Sequence, residues 1–304
     1  MIGGAFVNTA LQRELEFLTH HAVNIVKNLK VYLLPAHMKP DFPAVIEAIG
    51  MMRKEAFSEK GAGGEEELDL DPYDEHYHQM FVIKLDTMEM VAGYRFFVHD
   101  SLDTKKLDMN RLFDLGKLLG TEENLPSIEL GRSFIVPRYQ KQGTIFFSLF
   151  SGLGVIVNLF PQTRYLFGKI TFYPGNKHNG DVLRFMELYH PDHARAMVSR
   201  DEVHIPSDID FTGLSYKRAY RKVKDYMPEI LKIYLKLASP KYAVVSGTAP
   251  NPEFGQGIME TAFRIYYPAI TDFWLNRFVT PYRIPSRDIS ISWQPEQPAV
   301  ALQP

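Results

Sequence analysis

No cysteine occurs among the 304 residues, so a disulfide framework, a thiolate nucleophile and Cys-ligated zinc are excluded. An excess of one charge is missing too: 34 Lys and Arg stand against 36 Asp and Glu, a formal −2. Without a global basic field, nucleic acid is not an expected partner. A membrane span is also lacking, because the one long uncharged run, Thr144 to Phe160, falls short of the roughly 20 residues a spanning helix needs. Gly152, Gly154 and Asn158 interrupt it, and it reads as a buried core helix. Met1 to Ala10 has no basic stretch followed by an apolar run, and Glu14 and Glu16 come too early for a signal peptide, so a cytoplasmic location is expected. Peripheral contact with the inner membrane stays open, since 13% aromatic content leaves room for an exposed apolar patch. No Gly-x-Ser-x-Gly elbow, Walker loop or dinucleotide fingerprint is present, which removes the common hydrolase and nucleotide readings.

What is present suffices for a full core: 45% hydrophobic residues with 23% charged make one large domain or two modest ones. Leu11, Leu15, Leu18, Ala22, Ile25, Val26 and Leu29 follow three- and four-residue steps, predicting an amphipathic helix from Thr9 to about Lys30. A second helix is expected from Pro43 to Phe57, with Asp41 as cap; Lys60 to Asp69 reads as a solvated loop. The period then changes. Met80 to Leu85 and Met90 to Val98 predict a hairpin, Ser127 to Val136 a third strand stopped by Pro137, and Tyr165 to Phe172 a fourth. Helices are expected after Gly143, over Asn179 to Tyr189, over Tyr216 to Tyr226 and over Pro228 to Leu237. A strand at Tyr242 to Thr248, a helical stretch to about Tyr266 and a tail disordered from about 295 complete the chain. The class is α+β, with an N-terminal helical pair (1–64), a core (65–205) and a C-terminal extension (206–304).

The most informative stretch runs from Glu129 to Thr144 (ELGRSFIVPRYQKQGT). A strand feeding a loop with cations and glycine, then a helix N-terminus, has the makings of a phosphate cradle from Val136, Arg138, Lys141, Gly143 and Thr144. An ordinary strand–loop–helix connection is the other reading of that pattern. Glu129 and Arg132 lie inside an apolar strand, where unpaired charge costs several kcal/mol. Alternation puts them on opposite faces, and Gly131 between them could host a bulge that turns both toward one cleft and splays the strand from its neighbour. Asp71 and Asp74 precede the first strand, and Arg95 sits among aromatics in the second. His76 with His78, and His190 with His193, lack zinc-hydrolase spacing, so no metal is expected.

Asp71-x-x-Asp74, Gly93-Tyr-Arg95 and Glu129-x-x-Arg132-Ser-Phe with a proline soon after resemble the acyl-carrier-protein-dependent N-acyltransferase branch of the GNAT superfamily. That branch holds acyl-homoserine-lactone synthases, N-acyl amino acid synthases and the ornithine and glycine N-acyltransferases of aminolipid synthesis, some labelled hemolysin-like. The likeness covers about Asp71 to Tyr189, with Pro228 to Ala238 closest to the aminolipid enzymes. It implies a GNAT-like mixed sheet flanked by helices and transfer of a long acyl group from acyl carrier protein to the α-amino group of glycine or ornithine. The donor would be an acyl-phosphopantetheine thioester on the carrier, with acyl-CoA as the other option and no permanently bound cofactor. Glu129 would be the base and Arg132, with Arg95, would hold the acceptor carboxylate or order the site. Asp71 and Asp74, on the substrate side, would pin the loop over the site and pair with an arginine, Ser133 and Phe134 would also meet the substrate, and backbone N–H groups near Phe134 to Val136 would hold the oxyanion. Phe146, Phe147 and Phe150 could line an acyl tunnel, and a tyrosine such as Tyr189 could protonate the thiolate. Arg138-x-x-Lys141-x-Gly143 places lysine where acetyl-CoA-dependent members carry a glycine, which suits a single phosphate. Lys217, Arg218, Arg221 and Lys222 would offer a face to the acidic carrier. A CoA-dependent small-molecule acetyltransferase and a noncatalytic membrane-surface or carrier-binding protein are the alternatives.

Overall fold

Alternating β-branched and aromatic residues around the Asp86–Glu89 interval form the expected hairpin, His78–Lys84 (β3) pairing antiparallel with Glu89–His99 (β4). The computed structural model describes residues 9–26 and 28–282. Upstream lie α1 (Thr9–Phe17), β1 (Ala22–Val26), β2 (Leu29–Leu34) and α2 (Pro43–Ser58); downstream come β5 (Phe113–Asp114), α3 (Gly116–Leu119), β6 (Ser127–Ile135), α4 (Gly143–Leu159), β7 (Tyr165–Phe172) and α5 (Asn179–Tyr189). β8 (Val198–Ser199), α6 (Tyr216–Val223), α7 (Glu229–Leu237), β9 (Ala243–Pro250) and β10 (Met259–Tyr266) follow. Eight strands form one sheet in the order β1-β2-β3-β4-β6-β7-β10-β9. All neighbours are antiparallel except β6 and β7, which α4 joins as a crossover. Strands from 1–64 and from 206–304 thus share a sheet with those of 65–205.

Two expected helices are corrected. The helix predicted to Lys30 ends at Phe17, and residues from Ala22 onward form the β1–β2 hairpin. Val23, Ile25, Leu29, Val31 and Leu33 also alternate, and pairing of β2 with β3 buries Val31 and Leu33; packing decides between two compatible periods. The helical stretch to Tyr266 is strand β10, held between β7 and β9 along its length. Asp41 does not cap α2. Instead Glu14 reaches across from α1, its carboxylate accepting the Ala44 and Val45 N–H groups at 3.0 and 2.8 Å, a side-chain cap supplied from another helix. The tail expected to be disordered lies outside the described residues.

The uncharged α4 is buried as expected, and no described helix is long and apolar enough to cross a membrane. Its glycines set its seat: a Cβ on Gly152 would fall 2.6 Å from the Met80 sulfur on the sheet, and one on Gly154 would fall 1.6 Å from the Phe278 carbonyl oxygen. Helix propensity alone favours Gly154→Ala by about 1 kcal/mol. The contact reverses that sign, because backbone must move, and overpacking of this kind costs about 1–3 kcal/mol. A thermal melt is expected to show Gly154→Ala less stable than the wild type by several degrees; an equal or higher midpoint would refute the close approach.

Candidate active site

β6 and β7 are paired only at Ile128–Leu166, Glu129–Phe167 and Leu130–Gly168. Beyond these the two strands diverge, and a cavity of 460 Å³ fills the gap, lined by Gly131–Ile135 of β6 and Lys169–Thr171 of β7. A bulge starts the divergence. Arg95 pairs with Gly131 and Gly93 with Phe134, so Arg132 and Ser133 together oppose Tyr94, and Arg132 takes φ +46°. The expected bulge therefore sits one residue later than Gly131, on Arg132 itself, a conformation disfavoured for a non-glycine residue. Val136 N–H donates to Val91 O at 3.0 Å. Antiparallel alternation then gives Phe134 to Gly93 and turns the Ile135 N–H away from β4, toward the gap. The backbone donor aimed at the cleft is Ile135, and the Val136 N–H is already spent.

Alternation also divides the cleft between the two faces of the sheet. On one face lie Tyr94, Leu130, Ile170 and Phe263, under α4 (Phe146, Leu149) and α7 (Tyr234). Tyr234 stacks on Phe263 at 4.6 Å, and its hydroxyl meets that of Tyr94 at 3.1 Å. On the other face lie Lys169, Thr171 and, opposite Thr171, Glu260, with Asp108 beside them. The gap is a passage through the sheet, apolar on one side and charged on the other.

Behind the charged side runs a buried network. Arg95, 0% exposed, donates to Asp71 at 2.6 Å, Asp74 at 3.2 Å and Asp108 at 2.9 Å. Asp74 also accepts from Arg53 and Gln79, while Asp71 reaches Arg132 at 2.9 Å. Asp71 and Asp74 form a reciprocal capping box, which fixes both carboxylates. Burial pushes Asp74 upward, but Arg53 and Arg95 outweigh it and hold that carboxyl well below the usual carboxylate range. Arg132 is clamped between Asp69 and Asp71 and covers the Phe254 ring at 4.4 Å. Asp108 joins Arg95, Arg111 and Lys169, and Lys169 joins Glu260 at 3.1 Å.

Arg132, Ser133, Phe134, Lys141 and Gly143 line the cleft. Lys141 and Gly143 bring the N-terminus of α4 to its rim, where the first backbone N–H groups lack helical acceptors. The other residues expected at the site lie elsewhere. Arg95 is sealed, its guanidinium engaged by three carboxylates, and it does not line the cavity. Asp71 and Asp74 serve the same network. Arg138 is tied at the surface to Glu55 and Glu89 at 2.7 and 3.1 Å, Thr144 is exposed and Val136 buried; none of the three lines the cavity. Glu129 is buried because it sits where β6 and β7 are still paired; one oxygen accepts the Met109 N–H at 3.1 Å and the other has no partner. Burial, and then the charge of Asp108, push its carboxyl up to about 8.

Phe146 lines the cleft, whereas Phe147 and Phe150 pack against Phe278. Tyr189 donates to Leu214 O at 2.6 Å, away from the cavity. The four cations of α6 are exposed, with Ala219 and Val223 buried behind them. His78 accepts the Ala36 N–H, burial pulling its ring down to about 3, and His190 joins Ala243 and Tyr216; among the described residues no three potential ligands gather as a metal site. Sequence reasoning missed Arg53, Asp108, Lys169 and Glu260. Lys169 inside an otherwise apolar strand was the available signal.

Residues 52–149 match the acetyltransferase (GNAT) domain, and with this mixed sheet flanked by helices the fold is GNAT-like and the enzyme an acyltransferase. Two curated relatives, both called glycine N(alpha)-acyltransferase, are each 29% identical. The one from Phocaeicola vulgatus aligns over 74% of this chain and 77% of its own. That from Bacteroides thetaiotaomicron aligns over 78% and 77%. Among solved structures, the AHL synthase LasI is similar at TM-score 0.44 and 13% identity, over 83% of this chain and 96% of its own.

Proposed function

We propose that the enzyme moves a long fatty acyl group from an acyl-phosphopantetheine thioester on acyl carrier protein to the α-amino group of a small amino acid, glycine first, giving an N-acyl amino acid. The observation that carries this reading is the passage through the sheet: an apolar side fit for an acyl thioester meets a charged side fit for an amino acid at the splay. Both curated relatives are named for glycine acylation, which supports that acceptor over ornithine.

The thioester carbonyl lies at the gap with its oxygen on the Ile135 N–H, a fixed dipole where negative charge develops. The acceptor amine attacks from the charged side, forming the C–N bond as C–S breaks. Its proton passes through water to Glu129, a base whose raised pKa suits neutral operation. The departing thiolate takes its proton from water. The phosphate of the prosthetic arm rests near Lys141 and Gly143, and the basic face of α6 meets the acidic carrier. Lipid extracts of cells expressing the chain are expected to contain N-acylglycine by mass spectrometry. Its absence in cells supplying acyl carrier protein and glycine would sink the reading, and activity with short acyl-CoA alone would select the CoA-dependent alternative.

A further inference from the structure

The Lys169–Glu260 pair at the floor of the cleft has no structural task proportionate to its burial. Their side chains are 9% and 6% exposed and their contact is 3.1 Å, yet a buried ion pair adds little stability over an apolar one. Both line the cavity. Lys169 has three N–H donors, one given to Asp108 at 2.9 Å and at most one more to the ion pair with Glu260. Glu260 has one oxygen taken by Lys169 and by Asn251 at 2.9 Å, while the other accepts only a long 3.3 Å bond from Thr171. One donor of a cation and one acceptor of an anion are therefore left beside each other, next to the splay.

Asp108 is the poorer partner for an ammonium, since its charge is already answered by three cations, Arg95, Arg111 and Lys169, whereas Glu260 meets one. Arg132, the expected acceptor anchor, is committed to Asp69 and Asp71. We infer that Lys169 and Glu260 are the docking site for the acceptor in its zwitterionic form, the ammonium of an α-amino acid on Glu260 and its carboxylate on Lys169. Opposite charges one bond-angle apart on the ligand match opposite charges in contact on the protein. An amine without a carboxylate satisfies only half of the pair, leaving a buried donor unmet. The inference rests on the proposed reaction and names how its acceptor is held.

Titration calorimetry of the full chain with glycine tests this without turnover. Lys169→Met and Glu260→Gln are each expected to weaken glycine binding at least 50-fold, while methylamine, already weak on the wild type, changes less than 3-fold with Lys169→Met. In the acylation assay the same variants should raise the KM for glycine with the KM for the acyl donor unchanged, a split that general loss of fold would not give. Glycine binding within 3-fold of wild type in both folded variants, or methylamine binding as well as glycine on the wild type, would overturn the assignment. A wild type that binds glycine at this pair but acylates no amino acid would instead overturn the proposed reaction and leave the docking site standing.

Discussion

Arg95→Ala is expected to unfold the protein or lower its denaturation midpoint more than any other single side-chain removal at the site. The guanidinium is fully buried and answers Asp71, Asp74 and Asp108; truncation leaves three carboxylates competing for what remains. Removing one partner of a buried pair costs about 3–5 kcal/mol, and here the orphaned charge is threefold. Lysine should not rescue it, because a point charge on a flexible stem cannot span three carboxylates held by a planar fork. Arg138→Ala supplies the contrast. It also breaks two ion pairs, but these are half-exposed and together should cost under about 1 kcal/mol. Urea denaturation at pH 7 compares the two, and similar midpoints would contradict the network's assignment.

Glu129→Gln should separate activity from stability. If Glu129 is the proton acceptor proposed above, its loss lowers turnover by about 10²–10⁴-fold. Stability moves the other way, because the folded carboxyl titrates near 8 instead of the ordinary 4.5. Below pH 4.5 both states are protonated and nothing is lost. As pH climbs from there to 8 the unfolded chain ionises freely while the folded one resists, so the wild type loses stability across that window at up to about 1.4 kcal/mol per unit. Glutamine keeps the Met109 bond and carries no such penalty. The variant is therefore expected to match the wild type near pH 4.5, to exceed it by a few kcal/mol at pH 8, and to gain nothing further above that. Parallel stability–pH curves would show that Glu129 is not buried as an acid, and unchanged turnover would remove it from the mechanism.

Much of this site was legible, for identifiable reasons. Glu129 and Arg132 drew attention because charge inside an apolar strand demands a partner, and the structure supplies Asp69 and Asp71 for Arg132. Legibility ended where partners come from distant sequence. Lys169 and Glu260 are 91 residues apart and meet only because β10 lies antiparallel to β7, a pairing hidden as long as 259–266 was read as helix. Asp108 sits in a connecting segment with no pattern, and Arg53 on α2 meets Asp74 only once the chain is folded. At the N-terminus, Val23 to Leu33 satisfied helical and extended periods alike, and the open edge of β3 settled the matter.

Because the passage crosses the sheet, the N-acyl product of the proposed reaction would be a molecule threaded through a wall. Its carboxylate head would lie among charges on one side and its tail among Leu130, Ile170 and Phe263 on the other. Neither end can follow the other without a transfer that its new surroundings oppose, charge into apolar space or hydrocarbon past ions. For that product, departure more than bond formation would be the step at which the divergence of β6 from β7 must yield, and a receptive hydrocarbon phase beside the donor's face would draw it out tail first.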